Sequence, residues 1–373
     1  MVTSVLSIGT AVPPTRLAQQ DVRDLFVAQP GASRLTQRLI GAAFDASGIE
    51  SRHTVLAEFS GETPETPSGI PVIDESGRIL SPSTGARNDE YIRQAPPLFA
   101  AAADAAIRGA GIAPDQVTHV VTVSCTGMFA PGPDYRLVRD LGLPVTVERY
   151  HLGFVGCAAA LPGLRTAARI CAGDPQAVVL VVCAELCTLH FRVSDDPQQI
   201  VSSSVFADGA AAAVVSADPS LRGAHWLELE RFSTAVTDDG EQDMAWTIGD
   251  EGFEMVLSAE VPRIIGREIR GAVARFLGDD EVDAWAVHPG GRSVLDRVES
   301  GLELPASTLE VSRRILRDYG NMSSATILFI LREFLEGTGE GLTDDVRRIA
   351  TLAFGPGLTV ESALVTRRTA EAP

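Results

Sequence analysis

Short apolar runs rich in β-branched residues alternate along the chain with alanine-rich stretches that have helical periodicity. Apolar runs of this length, bounded by turn residues, predict buried strands. The predicted strands are Thr118–Ser124, Ala177–Cys183, Ala210–Ser216, Ala284–His288, Arg348–Phe354 and Val360–Thr366. The predicted helices are Pro97–Gly109, Ala158–Ala172 and Pro262–Leu277. Strands separated by helices predict an α/β fold in layers, with largely buried sheets.

One segment, Glu58–Arg93, breaks this alternation. It is rich in Gly, Pro, Ser, Thr and acidic residues and has weak periodicity, so it predicts a long surface excursion. Two interpretations of the excursion are open: a cover over a substrate entrance, or a variable loop with no chemical role.

The two halves of the sequence resemble each other. DGAAAAVV at 208–215 and GPGLTVESALV at 355–365 are both tight glycine turns that lead into an apolar strand. An ancient duplication would produce such a pair. We place the boundary in Ala217–Ser220, which divides the chain into an N-terminal half, 1–220, and a C-terminal half, 221–373.

Composition restricts the function. The 373 residues are 45% hydrophobic, which is typical of a well-packed globular protein. A net charge of −18 argues against nucleic acid and anionic membrane surfaces as partners, because both are bound through clustered positive charge. All 31 basic residues are arginines, so a mechanism based on a Schiff-base lysine is excluded.

The cysteines and the start of the chain bear on location. Five cysteines are an odd number, and their spacing is typical of neither disulfides nor zinc sites. The first residues lack the basic region of a signal peptide, and no apolar run approaches the roughly 20 residues that span a bilayer. We therefore expect a cytoplasmic protein with reduced thiols and no membrane insertion.

Three polar residues lie in distinctive frames: Cys157 in GFVGCAAA, His288 in VHPGGR and Asn321 in YGNMSSA. A thiol, an imidazole and an amide can together hold an acyl group as a thioester and stabilise negative charge on its oxygen. The glycines predict a sharp turn that places Cys157 at a helix N-terminus, where the thiolate is favoured. Taken singly, each residue has a purely structural alternative. Cys157 could be a small buried apolar residue, His288 a histidine hydrogen-bonded in the core, and Asn321 a helix cap.

These frames, with three other motifs, resemble the type III polyketide synthases, the chalcone synthase-like enzymes of the thiolase superfamily. The resemblance runs from about Gly9 to Val365. The other motifs are VFADGAAA at 205–212, Leu295-Asp296 after the histidine frame, and FGPGLT at 354–359. The resemblance implies a thiolase-like, five-layered αβαβα fold of two pseudo-duplicated halves, a homodimer, CoA thioesters as substrates, and no metal or redox cofactor.

The resemblance also implies roles for the three residues. Cys157 is then the nucleophile that holds the starter and the growing chain. His288 and Asn321 bind the thioester carbonyl of malonyl-CoA and stabilise the enolate that forms when CO2 leaves. The enolate attacks the Cys157 thioester in a Claisen condensation. We also expect His288 to pair with the Cys157 thiolate and lower its pKa.

By the same resemblance, Phe206 is a gatekeeper between the CoA tunnel and the active-site cavity, and Met255 replaces a second gatekeeper, a phenylalanine. Trp246 replaces a small residue of the plant enzymes and narrows the cavity. Further cavity positions are Cys125, Cys187, His190 and Ser323. Core packing is the alternative for the two cysteines and the histidine. Ala130 matches a residue that reaches the partner's cavity in the dimer.

These departures from the plant pattern favour the bacterial branch that makes alkylpyrones or alkylresorcinols from fatty acyl-CoA starters, with two or three extensions. The basic residues that bind CoA in the family have no equivalent in Leu39–Ala46. Arg38 and Arg52 flank this stretch and are the candidates for CoA binding, Arg52 being included in the predicted site; the alternative is a surface helix with ordinary solvated arginines. The turn Gly290–Gly291 and Arg292 beside it complete the predicted site.

Three alternatives remain. A ketoacyl-carrier-protein synthase III also has Cys, His and Asn, but with His-Gln-Ala-Asn where this chain has His288 followed by Pro-Gly-Gly. A papain-like cysteine hydrolase uses the same residue types in a different cysteine frame. The third alternative is a non-catalytic partner subunit on the same scaffold.

A hydroxymethylglutaryl-CoA synthase would need an additional acidic residue as a base. The one candidate is Glu185, and we assign it instead to bracing the sheet.

Overall fold

A computed structural model describes residues 2–61, 67–258, 260–337 and 347–370 of the chain. The strands are β1 (Ser4–Ala11), β2 (Thr15–Ala18), β3 (Ser51–Thr54), β4 (His119–Ser124), β5 (Glu148–Gly153), β6 (Val178–Leu186), β7 (Asp208–Ser216), β8 (His225–Val236), β9 (Met244–Gly249), β10 (Gly252–Leu257), β11 (Ala284–Val287), β12 (Arg348–Gly355) and β13 (Thr359–Thr369). The α-helices are α1 (Gln19–Val27), α2 (Arg34–Ala46), α3 (Thr84–Gly109), α4 (Pro133–Asp140), α5 (Ala160–Gly173), α6 (Pro197–Val205), α7 (Val261–Leu277), α8 (Arg292–Leu302), α9 (Glu310–Tyr319) and α10 (Thr326–Glu336).

The main sheet contains the same four-strand unit twice. Its order is β11-β12-β13-β8-β1-β7-β6-β4-β5. Going outward from the middle, β1-β7-β6-β4 and β8-β13-β12-β11 each have two antiparallel pairings followed by a parallel one. Strands β1 and β8 pair only at Ser4↔Glu228 and Val5↔Leu227. The two units are therefore joined by a short ladder, and the repeated topology is what a duplication predicts.

Helices lie on both faces of each unit. Between the two units, α5 contacts β4, β6 and also β13, while α10 contacts β1, β7 and also β11. On the outer side of the first unit, α3 packs on β1, β7 and β6. On the outer side of the second, α7 and α8 share a hydrophobic core with β11 and β12. These layers follow the expected αβαβα order and place the N-termini of the two central helices near each other.

All six predicted strands and all three predicted helices are present, and their ends differ by a few residues except at α3, which begins at Thr84 and not at Pro97. Their apolar runs are buried in the two central cores, which is why the pattern was strong. No helix in the ranges that the structure describes has the length and apolar character needed to cross a bilayer.

The predicted surface excursion, Glu58–Arg93, is partly wrong. Residues 62–66 lie outside the described residues, but α3 already begins at Thr84 and buries Arg87, Glu90 and Tyr91. Arg87 and Glu90 are buried with hydrogen bonds to main-chain groups or to a neighbouring arginine. Because this buried face is polar, hydrophobic periodicity does not reveal it. Pro96 and Pro97, which suggested a helix start, lie inside the helix.

Candidate active site

The loop before α5 positions Cys157. Strand β5 ends at Gly153, and the backbone then has positive φ at Phe154 (57°) and Gly156 (76°). A Cβ on Gly156 would overlap the ring of Pro356, so this position needs glycine both for its φ and for space. The turn leaves Cys157 at the start of the central helical segment, almost fully buried.

The frame of Asn321 is fixed through its backbone. Asn321 N donates to Val205 O, and Asn321 O accepts from Ala207 N, both at 2.9 Å, so the asparagine bridges to the segment that contains Phe206. Its Oδ1 accepts from Ser323 N at 2.9 Å, and Nδ2 is 3.4 Å from Gly290 O. An amide nitrogen has two hydrogens, so Asn321 can donate to Cys157 as well, a hydrogen bond that favours the thiolate.

His288 follows β11, and its backbone N donates to Leu352 O at 2.8 Å. The side chain is fully buried, and among the described residues neither ring nitrogen has a hydrogen-bond partner. Burial lowers the pKa of His288 to about 3, so the ring is neutral. A buried polar side chain without a partner is rare and points to a ligand that supplies one.

The expected thiolate–imidazolium pair between Cys157 and His288 is absent from the described structure. Burial raises the pKa of Cys157 to about 12, a shift that hydrogen bonds from Ser323 and Asn321 oppose and the charge of Glu185 reinforces. Both the thiol and the imidazole are therefore neutral. The prediction of a lowered thiol pKa is wrong for this state because burial outweighs the helix N-terminus.

Glu185 on β6 connects the loops around the site. Its buried carboxylate accepts hydrogen bonds from Cys125 N (3.0 Å), the Thr126 hydroxyl (2.9 Å) and the Ser324 hydroxyl (2.6 Å). Burial raises the pKa of Glu185. The Cys125 thiol also lies 3.5 Å from the Ser323 hydroxyl. This carboxylate joins two loops, the one after β4 with Cys125 and Thr126 and the one with Ser324, which fits the bracing role expected for it. Thr126 and Ser324 were not predicted from the sequence.

A small cavity of about 20 Å³ lies at Cys157. It is lined by Cys125, Thr126, Gly156, Cys157, Cys187, Phe206, Met244, Ala245, Trp246, Met255, Ser323 and Pro356. The predicted positions Cys125, Cys187, Phe206, Trp246, Met255 and Ser323 therefore come together around the thiol. The volume has room for about one water molecule, so an acyl chain enters only when a wall moves.

The β9–β10 hairpin forms one wall of this cavity, and no strand was predicted there. Trp246 and Met255 are directly paired across the hairpin. The indole Nε1 donates to Cys125 O at 2.7 Å, and the Gln199 amide donates to Met255 O at 2.7 Å. Both residues thus face the cavity while side-chain contacts hold their strands in place.

His190 does not lie in the lining of this cavity, where it was predicted. Its ring packs behind Trp246, with centroids 5.6 Å apart, and stacks on Phe253 at 4.3 Å. The prediction followed a family alignment, which places the backbone but not the direction of a longer side chain.

A second cavity, of about 360 Å³, lies beside the first. Val205 and Leu257 line it, whereas their near neighbours Phe206 and Met255 line the cavity at Cys157. The predicted turn Gly290–Gly291 is also part of its wall. Arginine side chains at this cavity come from Arg263, Arg292 and Arg297. Of these, only Arg292 was predicted.

Arg52, the predicted CoA contact, lies elsewhere, and that prediction is wrong. Its side chain is fully buried between the rings of Phe44 and Phe191 and donates to Ser203 O (2.8 Å) and Phe206 O (2.7 Å). Burial lowers its pKa to about 9. A phosphate in solvent cannot reach it. The sequence does not distinguish a buried arginine from an exposed one.

Comparison with protein families covers both halves of the chain. Residues 2–219 match the N-terminal domain of chalcone and stilbene synthases, and residues 228–369 match their C-terminal domain. The chain belongs to the chalcone and stilbene synthase family. Membership removes the papain-like alternative and places the chain apart from the ketoacyl-carrier-protein synthases.

Relatives within the chalcone and stilbene synthase family include a protein described as probable polyketide synthase 1 of Dictyostelium discoideum. It is 29% identical over 371 residues, which are 97% of this chain but only 11% of that protein. Among solved structures, the C-terminal type III polyketide synthase domain of Steely1, a type I/III hybrid from Dictyostelium, has a TM-score of 0.88 and 29% identity over 98% of this chain and 99% of that one.

A second solved structure, PKS-I from the brown alga Ectocarpus siliculosus, has a TM-score of 0.90 and 27% identity, covering 98% of each chain. Two independent family members thus share this fold over nearly its whole length. The αβαβα fold expected from the sequence is confirmed.

Proposed function

We propose that the protein is a type III polyketide synthase that condenses malonyl-CoA with an acyl-CoA starter held on Cys157. One observation carries this proposal: the Asn321 amide bonds both the buried Cys157 thiol and the Gly290 carbonyl, and Gly290 N in turn donates to the carbonyl of a buried His288. Among the described residues, neither ring nitrogen of His288 has a hydrogen-bond partner. Donors placed in this way suit the oxygen of a thioester that becomes an enolate.

The first step is thioester exchange. The Cys157 sulfur attacks the starter carbonyl, the bond to the CoA sulfur breaks, and the thiol proton ends on free CoA. No net proton is gained or lost. Because burial raises the pKa of the Cys157 thiol, the proton leaves the sulfur as the sulfur attacks and passes to the departing CoA sulfur.

The second step uses malonyl-CoA. Its carboxylate leaves as CO2, and the electron pair of the broken C–C bond becomes an enolate whose oxygen accepts hydrogen bonds from His288 and Asn321. The enolate carbon then attacks the Cys157 thioester and displaces the thiolate. The product is a β-ketoacyl-CoA, two carbons longer, which returns to Cys157 for another extension.

The two adjacent cavities support a division of the substrate. The larger one has room for the pantetheine arm, and its arginines Arg263, Arg292 and Arg297 suit the CoA phosphates. Phe206 and Met255 line the cavity at the thiol, and Val205 and Leu257 next to them in sequence line the larger one, which supports a gatekeeper role for Phe206 and Met255. This assignment replaces Arg52 as the CoA contact and keeps Gly290–Gly291 at the tunnel.

For the product we retain the fatty acyl starter and an alkylpyrone or alkylresorcinol. The cavity wall is mainly apolar and carries thiols and Met255, and a thioether adapts to a flexible chain better than a rigid ring does. Trp246 restricts the volume, which supports few extensions.

We also infer a homodimer. The sheet ends at β5, whose side chains are mostly exposed, and an unpaired edge invites a second copy. Met128, Tyr135, Tyr150 and Val155 are exposed nearby and would cover apolar area in such a dimer. Ala130 lies in the same loop region. A monomer by native mass spectrometry at micromolar concentration would contradict this inference.

A cytoplasmic location is inferred too. The five cysteines are buried and unpaired, which suits a reducing compartment.

The decisive experiment incubates the purified protein with malonyl-CoA and starters from acetyl-CoA to palmitoyl-CoA and cinnamoyl-CoA, with products identified by mass spectrometry. We expect polyketides from the fatty starters. Exclusive use of cinnamoyl-CoA would contradict the fatty-starter assignment.

Incubation with acyl-CoA alone tests the earlier step. We expect an acyl adduct on Cys157, located by peptide mapping. Absence of any adduct with every starter would favour the alternative of a non-catalytic partner subunit.

A further inference from the structure

His190 connects two parts of the site without lining the cavity. Its Nδ1 accepts a hydrogen bond from Phe253 N on β10 at 3.0 Å, and its Nε2 lies 2.8 Å from Thr126 O. Because Nδ1 is the acceptor, the ring proton is on Nε2, and a single tautomer makes both bonds. Burial lowers the pKa of His190 to about 3, which keeps this neutral form.

The same ring contacts two aromatic side chains of the β9–β10 hairpin. It lies nearly parallel to Phe253, at 11°, and meets Trp246 edge-on, at 86°. Trp246 also packs edge-on against Phe253, with centroids 6.0 Å apart. One imidazole therefore accepts a hydrogen bond from the backbone of β10 and packs against the indole of Trp246 on β9.

The residues around His190 are themselves held firmly. The Arg87 guanidinium donates to the carbonyls of Leu189 and Phe191, one on each side of the histidine, and to Pro82 O. Thr84, also on α3, binds the turn of the hairpin by accepting from Gly252 N at 2.8 Å. His190 therefore stands on a rigid base, and the hairpin is the part that is held against it.

Because the cavity at Cys157 is small, the contact of His190 with Trp246 has a large effect on its volume. At about 20 Å³, its volume changes by a large fraction when the indole moves by a small distance. The position of Trp246 thus decides how much chain fits beside Cys157.

We propose that His190 is a positioning residue that limits the length of the polyketide, because it holds the β9–β10 hairpin, and with it Trp246, against the loop at Cys125–Thr126. The proposal rests on the proposed function, since a length limit has meaning only for a condensing enzyme. It assigns His190 no contact with substrate.

Two variants separate the hydrogen bonds from the bulk of the ring. His190→Leu removes both hydrogen bonds and keeps an apolar side chain of moderate size. His190→Gln keeps one donor and one acceptor, so it serves as the conservative control. Each is made in the natural sequence, in Trp246→Phe, which removes the reporter indole, and in Trp246→Gly, which is used for the product measurement.

The first measurement needs no substrate. Acrylamide quenching of tryptophan emission, taken as the difference between the natural sequence and Trp246→Phe, isolates Trp246 from Trp226 and Trp285. With both bonds lost, we expect the displaced hairpin to become roughly tenfold more populated and the quenching of Trp246 to rise. His190→Gln should restore most of the protection. Unchanged quenching in a folded His190→Leu overturns the proposal.

The second measurement is the product distribution. His190→Leu should shift products toward longer chains, as Trp246→Gly does, and the double variant should match Trp246→Gly alone, because both act through the same wall. Additive shifts overturn the proposal, since His190 would then act independently of Trp246. If no protein of the set makes a polyketide, the proposed function fails, and the quenching result still decides whether His190 positions Trp246.

Discussion

The two walls of the cavity at Cys157 are built differently. The wall with Cys157 and Asn321 is set by the backbone. Gly156 has positive φ, and Asn321 donates its N–H to Val205 O and accepts at its O from Ala207 N. The opposite wall, the β9–β10 hairpin, is held by side chains that reach it from other elements, among them His190 and Gln199. Backbone geometry tolerates few substitutions, whereas a wall held by side chains changes shape with one. Under the proposed function, the chemistry lies on the fixed wall and the control of product length on the adjustable one.

The largest effect is expected from Asn321→Ala on the fixed wall. Removal of one oxyanion donor lowers turnover by about 10²–10³-fold, so decarboxylation of malonyl-CoA should fall by that factor. The measurement is CO2 release. Acylation of Cys157 by a starter is the internal control and should persist. Equal loss of both activities would show that the substitution damaged the loop instead of the enolate site.

The next largest effect is expected from Gly156→Ala. A non-glycine residue with left-handed φ carries a penalty of about 1–2 kcal/mol, and the added Cβ also collides with Pro356. We expect a lower unfolding temperature and loss of acylation at Cys157. Gly173→Ala, at the end of α5 with open space around it, is the control and should be neutral or slightly stabilising. A stable, active Gly156→Ala would contradict the view of this wall as fixed by backbone.

The third prediction concerns pH. Since burial raises the pKa of Cys157 to about 12, the thiolate is a minor form at neutral pH, and its fraction rises about tenfold for each pH unit below that pKa. Alkylation of Cys157 by iodoacetamide should accelerate accordingly from pH 7 to 9, with Cys157→Ala as the blank. A plateau near pH 6 would instead reveal the thiolate–imidazolium pair with His288 that the sequence suggested.

The smallest change in rate, but the clearest change in product, is expected from Trp246→Gly on the adjustable wall. The cavity gains the volume of the indole, so longer products or longer starters should appear in mass spectrometry. Trp226→Gly, on β8 and away from this cavity, controls for loss of a tryptophan and should alter stability alone. An unchanged product profile in Trp246→Gly would remove this residue from the list of length determinants.

The sequence predicted the fixed wall better than the adjustable one. The apolar strands and the frames of Cys157, His288 and Asn321 are local patterns, because a turn or a buried strand is encoded by adjacent residues. Cys125, Phe206 and Trp246 were placed in the cavity only through family resemblance.

Features that depend on distant partners were missed or assigned wrongly. Arg52 was predicted to bind CoA because the sequence does not distinguish a buried guanidinium from an exposed one. His190 was wrongly predicted to line the cavity, because the direction of its side chain is set by hydrogen bonds to Thr126 and Phe253, which are distant in sequence. The start of α3 was missed because its buried face is made of hydrogen-bonded charges.

The main-chain bridge between Phe206 and Asn321 has a mechanical consequence. Because Asn321 N and O are both bonded to the strip Val205–Ala207, the backbone of Phe206 and that of Asn321 hold each other in place. Arg52 anchors the same strip through the carbonyl of Phe206. Within the proposed function, the gatekeeper and the enolate site therefore keep a constant spacing, so a substitution that shifts this strip is expected to affect loading and carbon–carbon bond formation together.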